Sequence, residues 1–221
     1  MRPTRAVILA KSRMRAEDWQ MESSHGYFSG EPETRWLTEN VPDKRMGLLA
    51  DFCFIDPKHT EWRVPNGYER LDGASIPRAL WSLVGSPYTG DYRRASIVHD
   101  WAVDEAHGDE KKRRAADRMF YHACRAGGCS QAEATLLYLG VRIGAWLSAQ
   151  AASAYAADQE PRPRVESTST ERRTRARYRV MAEQLLEESP TDDPVELERR
   201  TDTMFRAVMG TSKAKATPDD A

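Results

Sequence analysis

The sequence predicts a mostly α-helical protein: a helical-hairpin core over residues 45–157, a small antiparallel β-hairpin, and a helical appendage at the C-terminal side. Three observations lead there. From Asp91 to Ala157 apolar residues recur at helical spacing through three successive segments, interrupted at Gly108 and at Gly127-Gly128. Two short runs rich in aromatic and aliphatic residues, Met46 to Ile55 and Glu61 to Val64, flank the Asp56-Pro57 turn and read as paired strands. After a stretch of proline, arginine, serine and threonine, two charged segments again fit helices.

Taken in order, residues 1–44 show weak periodicity and are expected to form an irregular arm. Met46 to Ile55 forms the first strand and Glu61 to Val64 the second. The Asp72-Gly73 turn follows, and Ser75 is placed to cap a helix with Pro77 in its first turn, where a missing N–H costs least. That helix carries Ile76, Ala79, Leu80 and Leu83 and stops near Gly85. Asp91 to about Ala106 is the next helix, and Asp109-Glu110 open another with acids at its positive end, running to about Ala126. Ser130 and Glu133 make a capping box at the head of a long helix reaching Ala157, in which Gly140 and Gly144 allow close packing. Residues 158–170 form a linker. The segment 171–221 is expected to be a helical appendage, with helices over Glu171–Glu188 and Asp193–Met209 and a disordered tail from Lys213.

Composition narrows the function. The chain has 221 residues with formal net charge −1, which gives no strong nucleic-acid signal of the bulk-charge kind. Three cysteines, Cys53, Cys124 and Cys129, are an odd number and do not make a disulfide framework; they suit a cytosolic site of synthesis. Ala6 to Ala10 is too short for a secretory signal. The most membrane-like stretch, Ala134 to Ala157, contains Arg142, Ser148, Gln150 and Ser153, and reads as a core helix with no transmembrane segment.

Chemistry concentrates in three short pieces. His99 and Asp117 are equidistant from Gly108, so an antiparallel helical hairpin sets them at one height, facing each other. An oriented His–Asp pair with the second ring nitrogen open can act as a general base on water. Asp100 is rotated by roughly 100° from His99, and with Asp72 beside Gly73 it can approach a hard cation such as Ca²⁺. The same residues have plainer readings. His99 can be a satisfied core residue, Asp72-Gly73 a turn, and Asp117 a partner of Arg113 or Arg114. The His–Asp pair can equally be a buried brace between two helices.

The run Asp72-Gly73-Ala74-Ser75-Ile76-Pro77-Arg78, with Trp81, Gly85, Tyr92, Ala95, His99-Asp100, Ala116-Asp117, Phe120 and Tyr138-Val141-Gly144, resembles a bacterial and phage group, domain-of-unknown-function family 1353. That resemblance covers about residues 45–150 and implies a phage or prophage setting without an activity. The order of turn aspartate, His-Asp on a helix and Ala-Asp on the antiparallel helix is more distantly similar to bacterial phospholipase A₂. That similarity implies His99 as the water-activating base, Asp117 as its orienting partner, and Asp72, Asp100 and the Gly73 carbonyl as Ca²⁺ ligands. Ala74 and Ser96 stand where that superfamily has a disulfide pair.

The resulting expectation is a phospholipase A₂-like, Ca²⁺-assisted ester hydrolase acting on phospholipid. The alternative is a non-enzymatic virion structural or assembly protein that meets another virion protein. Two features stay outside this site. Arg172, Arg173, Arg175, Arg177 and Arg179 read as a solvated helix face balanced by nearby glutamates, with phosphate contact as the other reading. Leu185, Leu186, Val195, Leu197 and Phe205 offer a surface for a partner or for self-association. His59 with His99-Asp100 and Asp117 also fits the order of metal phosphohydrolases, though it lies in a turn.

Overall fold

A computed structural model describes residues 24–38, 45–86, 89–158 and 168–209. Five short strands precede six α-helices among these residues: β1 (Tyr27–Phe28), β2 (Thr34–Trp36), β3 (Met46–Leu48), β4 (Phe52–Ile55), β5 (Glu61–Val64), α1 (Trp81–Val84), α2 (Arg93–Ala106), α3 (Glu110–Gly127), α4 (Gln131–Asp158), α5 (Thr168–Glu187) and α6 (Pro194–Met209). The mostly α fold is as expected. No helix among the described residues is long and apolar enough to cross a membrane.

The strands form two small antiparallel sheets, ordered β1-β4-β5 and β2-β3. The expected hairpin is present, with Phe52 opposite Val64 and Ile55 opposite Glu61. Two expectations change. The run Met46 to Ile55 is not one strand; it bends after Leu48, and its first half pairs with β2 instead of β5. Part of the expected irregular arm supplies β1 and β2. The reason is aromatic packing: Phe28 in β1 sits 4.9 Å from Phe54 and 5.7 Å from Phe52, ring centre to ring centre, and closes the otherwise open edge of β4. All of β4 is buried, so its sequence carries no alternation.

The helical hairpin is α2 against α3. Its turn uses His107 in the left-handed region (φ 46°) and Gly108, and Asp109 caps α3 by accepting hydrogen bonds from the Lys111 and Lys112 amides at 2.8 and 3.0 Å. The capping box on α4 is formed as expected: the Ser130 amide donates to Glu133 Oε2 (2.7 Å) and the Glu133 amide to Ser130 Oγ (3.2 Å). Leu137, Tyr138, Leu139, Val141 and Ile143 are all buried, which accounts for the apolar run that resembles a membrane segment.

The helix expected from Ser75 starts later. Gly73, Ala74 and Ser75 all have positive φ (112°, 59° and 58°), so Ser75 cannot cap; a 3-10 turn over Arg78–Leu80 leads into α1 without a side-chain cap. These three residues press the Ser75 carbonyl onto α4 at Gly144, where a Cβ would lie 2.1 Å from the oxygen. Gly140 and Gly144 therefore admit a turn, where the sequence suggests another helix.

The C-terminal helices belong to the core. Tyr178, Met181 and Leu185 of α5 and Leu197 and Met204 of α6 are buried in the main cluster. The Tyr178 hydroxyl donates to the Leu136 carbonyl (3.1 Å), and Glu198 of α6 meets both Arg114 and Arg118 of α3. The part of the expected linker before Thr168 and the expected tail from Lys213 lie outside the described residues.

Candidate functional site

The hairpin brings His99 and Asp117 together as the spacing predicts. His99 Nε2 lies 2.8 Å from Asp117 Oδ1, and both side chains are 0% exposed. The Phe120 ring covers the imidazole at 4.8 Å between centres. Asp117 holds more than the histidine. Arg113 Nε donates to Oδ1 at 3.1 Å, and Arg142 Nη1 reaches Oδ2 from α4 at 2.9 Å.

Burial alone would raise the Asp117 pKa. The hydrogen bond and charge of His99, with Arg113 and Arg142, outweigh it and hold the carboxyl well below its usual range. Burial lowers the pKa of His99, against the pull of Asp117. A neutral imidazole facing an ionised carboxylate must carry its proton on Nε2, which leaves Nδ1 as a bare acceptor. Nδ1 is buried and makes no well-formed hydrogen bond among the described residues, but the Ala74 backbone beside the ring favours the protonated form.

Asp100, next along α2, faces the strained turn. Its Oδ2 accepts from the amides of Asp72 and Gly73, each at 3.0 Å, so the carboxyl clamps the left-handed residues that follow. Burial, then the charge of Asp72, pushes its pKa up to about 8, against the backbone amides. Oδ1 is buried without a hydrogen-bond partner among the described residues. Burial also raises Asp72, opposed by Arg45. Asp72, Asp100, Ser75, Asp104, Arg45 and Arg70 border a polar cleft of about 260 Å³. On its rim the Tyr68 hydroxyl donates to Asp104 Oδ2 at 2.8 Å and Arg70 pairs with Asp104 at 3.2 Å.

The Ca²⁺ cage implied by the phospholipase A₂ resemblance is not what these residues make. Asp72 and Asp100 do border one cleft. However, Oδ2 of Asp100 is committed to amides, the Gly73 carbonyl accepts from the Ile76 amide at 3.4 Å, and two guanidinium groups already bring positive charge. A hard cation needs six to eight oxygens. Among the described residues no group of three or more His, Cys, Asp or Glu side chains is placed to hold a metal.

Sequence reasoning missed Arg142. Its signal was a lone charge in an apolar helix, which argues against a membrane span and equally announces a buried counter-charge. Arg113 is the partner that the plainer reading offered for Asp117, whereas Arg114 turns to Glu110, Glu198 and Asp202. His59 sits exposed in the β4–β5 turn, and all three cysteines are free and buried.

A family model described as "Protein of unknown function (DUF1353)" matches residues 46–141. The match covers less than half of the chain. The DUF1353 segment contains Asp72, His99, Asp100, Asp117 and the whole α2–α3 hairpin. Two similar proteins come from Sinorhizobium fredii. Uncharacterized protein y4jT is 38% identical over 118 residues, covering 52% of this chain and 33% of the relative. Uncharacterized protein y4iH is 37% identical over 94 residues, covering 42% and 38%. The chain thus spans between 33% and 38% of the length of these curated relatives. No solved structure matches it.

Proposed function

We propose that the DUF1353 segment, with the helices packed on it, is a non-enzymatic binding module: a structural or assembly component in the phage or prophage setting its resemblance implies. The burial of His99 carries this reading. A general base must come within hydrogen-bond reach of the water it activates, and the His99 side chain is 0% exposed, with Phe120 against its ring and the Ala74 backbone beside it. Asp117 meanwhile commits both oxygens to His99, Arg113 and Arg142, on three helices. Such a network braces helices. The mixed charges of the Asp72–Asp100 cleft suit recognition of a polar protein surface, and a virion protein is the partner class this reading favours over a phospholipid.

A second reading, the ester hydrolase, has one observation in its favour. His99 donates from Nε2 to Asp117 and keeps Nδ1 without a well-formed hydrogen bond, the arrangement a water-activating base needs. It requires the Asp72–Ser75 turn to lift. Wild type and His99→Ala are compared for fatty-acid release from phospholipid vesicles, with Ca²⁺ and with chelator. The expected result is background release in every arm, together with a loss of about 2–5 kcal/mol for His99→Ala in urea unfolding. Wild-type release above the blank that disappears in a folded His99→Asn variant overturns the binding reading in favour of the hydrolase.

A further inference from the structure

Charge is unevenly placed along α5. Arg172, Arg173, Arg175, Arg177 and Arg179 fall in its first half, opposed there by Glu171 alone, while Glu183 and Glu187 stand towards its end. That order is the reverse of what the helix dipole favours. Arg173 with Arg177, and Arg175 with Arg179, are also like charges four residues apart, a spacing that destabilises a helix. Helix stability therefore does not account for this placement.

Burial fixes which way the arginines face. Thr174, Tyr178, Met181 and Leu185 are buried in the core. At about 100° per residue, Arg172, Arg175 and Arg179 then lie in a row along one flank, about 10 Å long. It is the flank that faces the 3-10 turn, because Arg175 Nε donates to the Ala79 carbonyl at 2.8 Å. Arg78, exposed on that turn, extends the row, its guanidinium 5.5 Å from the Trp81 ring centre. Of these four, only Arg175 has an acidic partner among the described residues, Glu171 at 3.9 Å. The 3-10 turn and α1 carry no acid. In α4 and α6 every described acidic side chain is engaged elsewhere: Glu133 at the α4 cap, Glu196 with Arg199 and Arg200, Glu198 and Asp202 with Arg114. Four arginines set against Glu171 and Glu183 leave a surplus of two positive charges along the row.

We infer that this row binds the phosphate backbone of a nucleic acid without reading its bases. A guanidinium meets a phosphate through paired hydrogen bonds, and a basic stripe along a helix suits an anion that repeats along a strand. A lipid surface is the poorer fit. A helix lying on a membrane needs an apolar face to insert, and that of α5 is already packed in the core. With a formal net charge of −1, the chain has no overall positive field, so the contact depends on this row. The row shares no residue with the Asp72–Asp100 cleft and does not depend on the role of His99.

Fluorescence anisotropy of the full chain with a short labelled DNA duplex tests this. Saturable binding is expected at about 50 mM salt, weakening as salt rises with a log–log slope of about −3 to −4, as four phosphate contacts require. Arg172 and Arg179 are exposed, so the paired change Arg172→Glu and Arg179→Glu keeps the fold, which circular dichroism checks. It is expected to weaken binding by about tenfold or more and make the slope shallower by about 2. The paired change Lys111→Glu and Lys112→Glu shifts the net charge equally at the exposed start of α3 and is expected to leave affinity within about twofold. Absence of saturable binding up to about 100 μM protein, or equal weakening by the lysine pair, overturns the proposal. Displacement of the duplex by poly-glutamate as effective as by unlabelled duplex also overturns it, in favour of an acidic protein partner.

Discussion

His25 and His122 lie with their Nδ1 atoms 3.2 Å apart, where the turn before β1 meets α3. Burial, followed by the charge of His25, lowers His122 to about 4, and burial also lowers His25 against the pull of Asp192. Arg125 acts on His25 from α3, and Asp56, Asp193 and Lys58 act on His122 from the adjoining loops. In the unfolded chain a histidine takes its proton near pH 6.5. As pH falls from there to about 4, the unfolded state therefore binds protons that the folded state refuses, and stability declines. Asp117 extends the decline at lower pH, because its depressed carboxyl stabilises the fold above the ordinary carboxylate range and ceases to do so once protonated. Asp100, raised to about 8, acts in the opposite sense, losing stability as pH rises through the interval below that value. The test is a difference. In urea unfolding at stepped pH, His122→Gln should lose less stability than wild type between pH 6.5 and 4, and parallel curves would contradict this account.

At the level of the elements, the two α4 glycines separate two effects of opposite sign. Replacing a helical glycine by alanine gains about 1 kcal/mol of helix propensity. At Gly140 the new methyl would meet only Ile76 side-chain atoms at 3.4 Å and beyond, which is ordinary contact, so Gly140→Ala should gain up to about 1 kcal/mol. At Gly144 it would lie 2.1 Å from the Ser75 carbonyl, and Gly144→Ala should lose about 1–3 kcal/mol despite the propensity gain. Thermal unfolding midpoints moving in opposite directions are the expected outcome. The sequence made the glycine spacing legible as a close approach. It did not reveal that the approaching element is a turn with three left-handed residues, because the backbone angles of Ala74 and Ser75 leave no mark in residue type. The His99–Asp117 contact was legible for the converse reason: both lie in one hairpin, and counting from Gly108 suffices. Arg142 comes from a third helix, whose rotation about its axis no local pattern fixes.

Over the whole molecule, α5 packs against α4 and α6 against α3. Their charge runs suggest solvated helices, and the arginines of α5 partly bear that out. Yet Arg175 Nε also donates to the Ala79 carbonyl at 2.8 Å, and Tyr178, Met181 and Leu185 are buried at helical spacing between the charges. That interleaving was the available signal. The salt bridges from Arg114, Arg118 and Arg125 to Glu198, Asp202 and Asp192 then tie α6 and its leading loop to α3. One feature of this assembly reaches beyond adhesion. Arg142 is the charge by which α4 meets Asp117, and a slide of α4 by one turn, about 5.4 Å, would take the guanidinium away from Oδ2, stranding Arg142 and leaving Asp117 with only His99 and Arg113. The ion pair thus works as an indexing pin, selecting one alignment among several that apolar packing alone would tolerate. Replacing His99, Asp117 and Arg142 together by leucine or methionine is accordingly expected to leave unfolding free energy within about 2 kcal/mol of wild type while broadening the amide NMR spectrum through exchange between alignments. A sharp, single-conformer spectrum from that variant would show that the apolar faces find their alignment unaided.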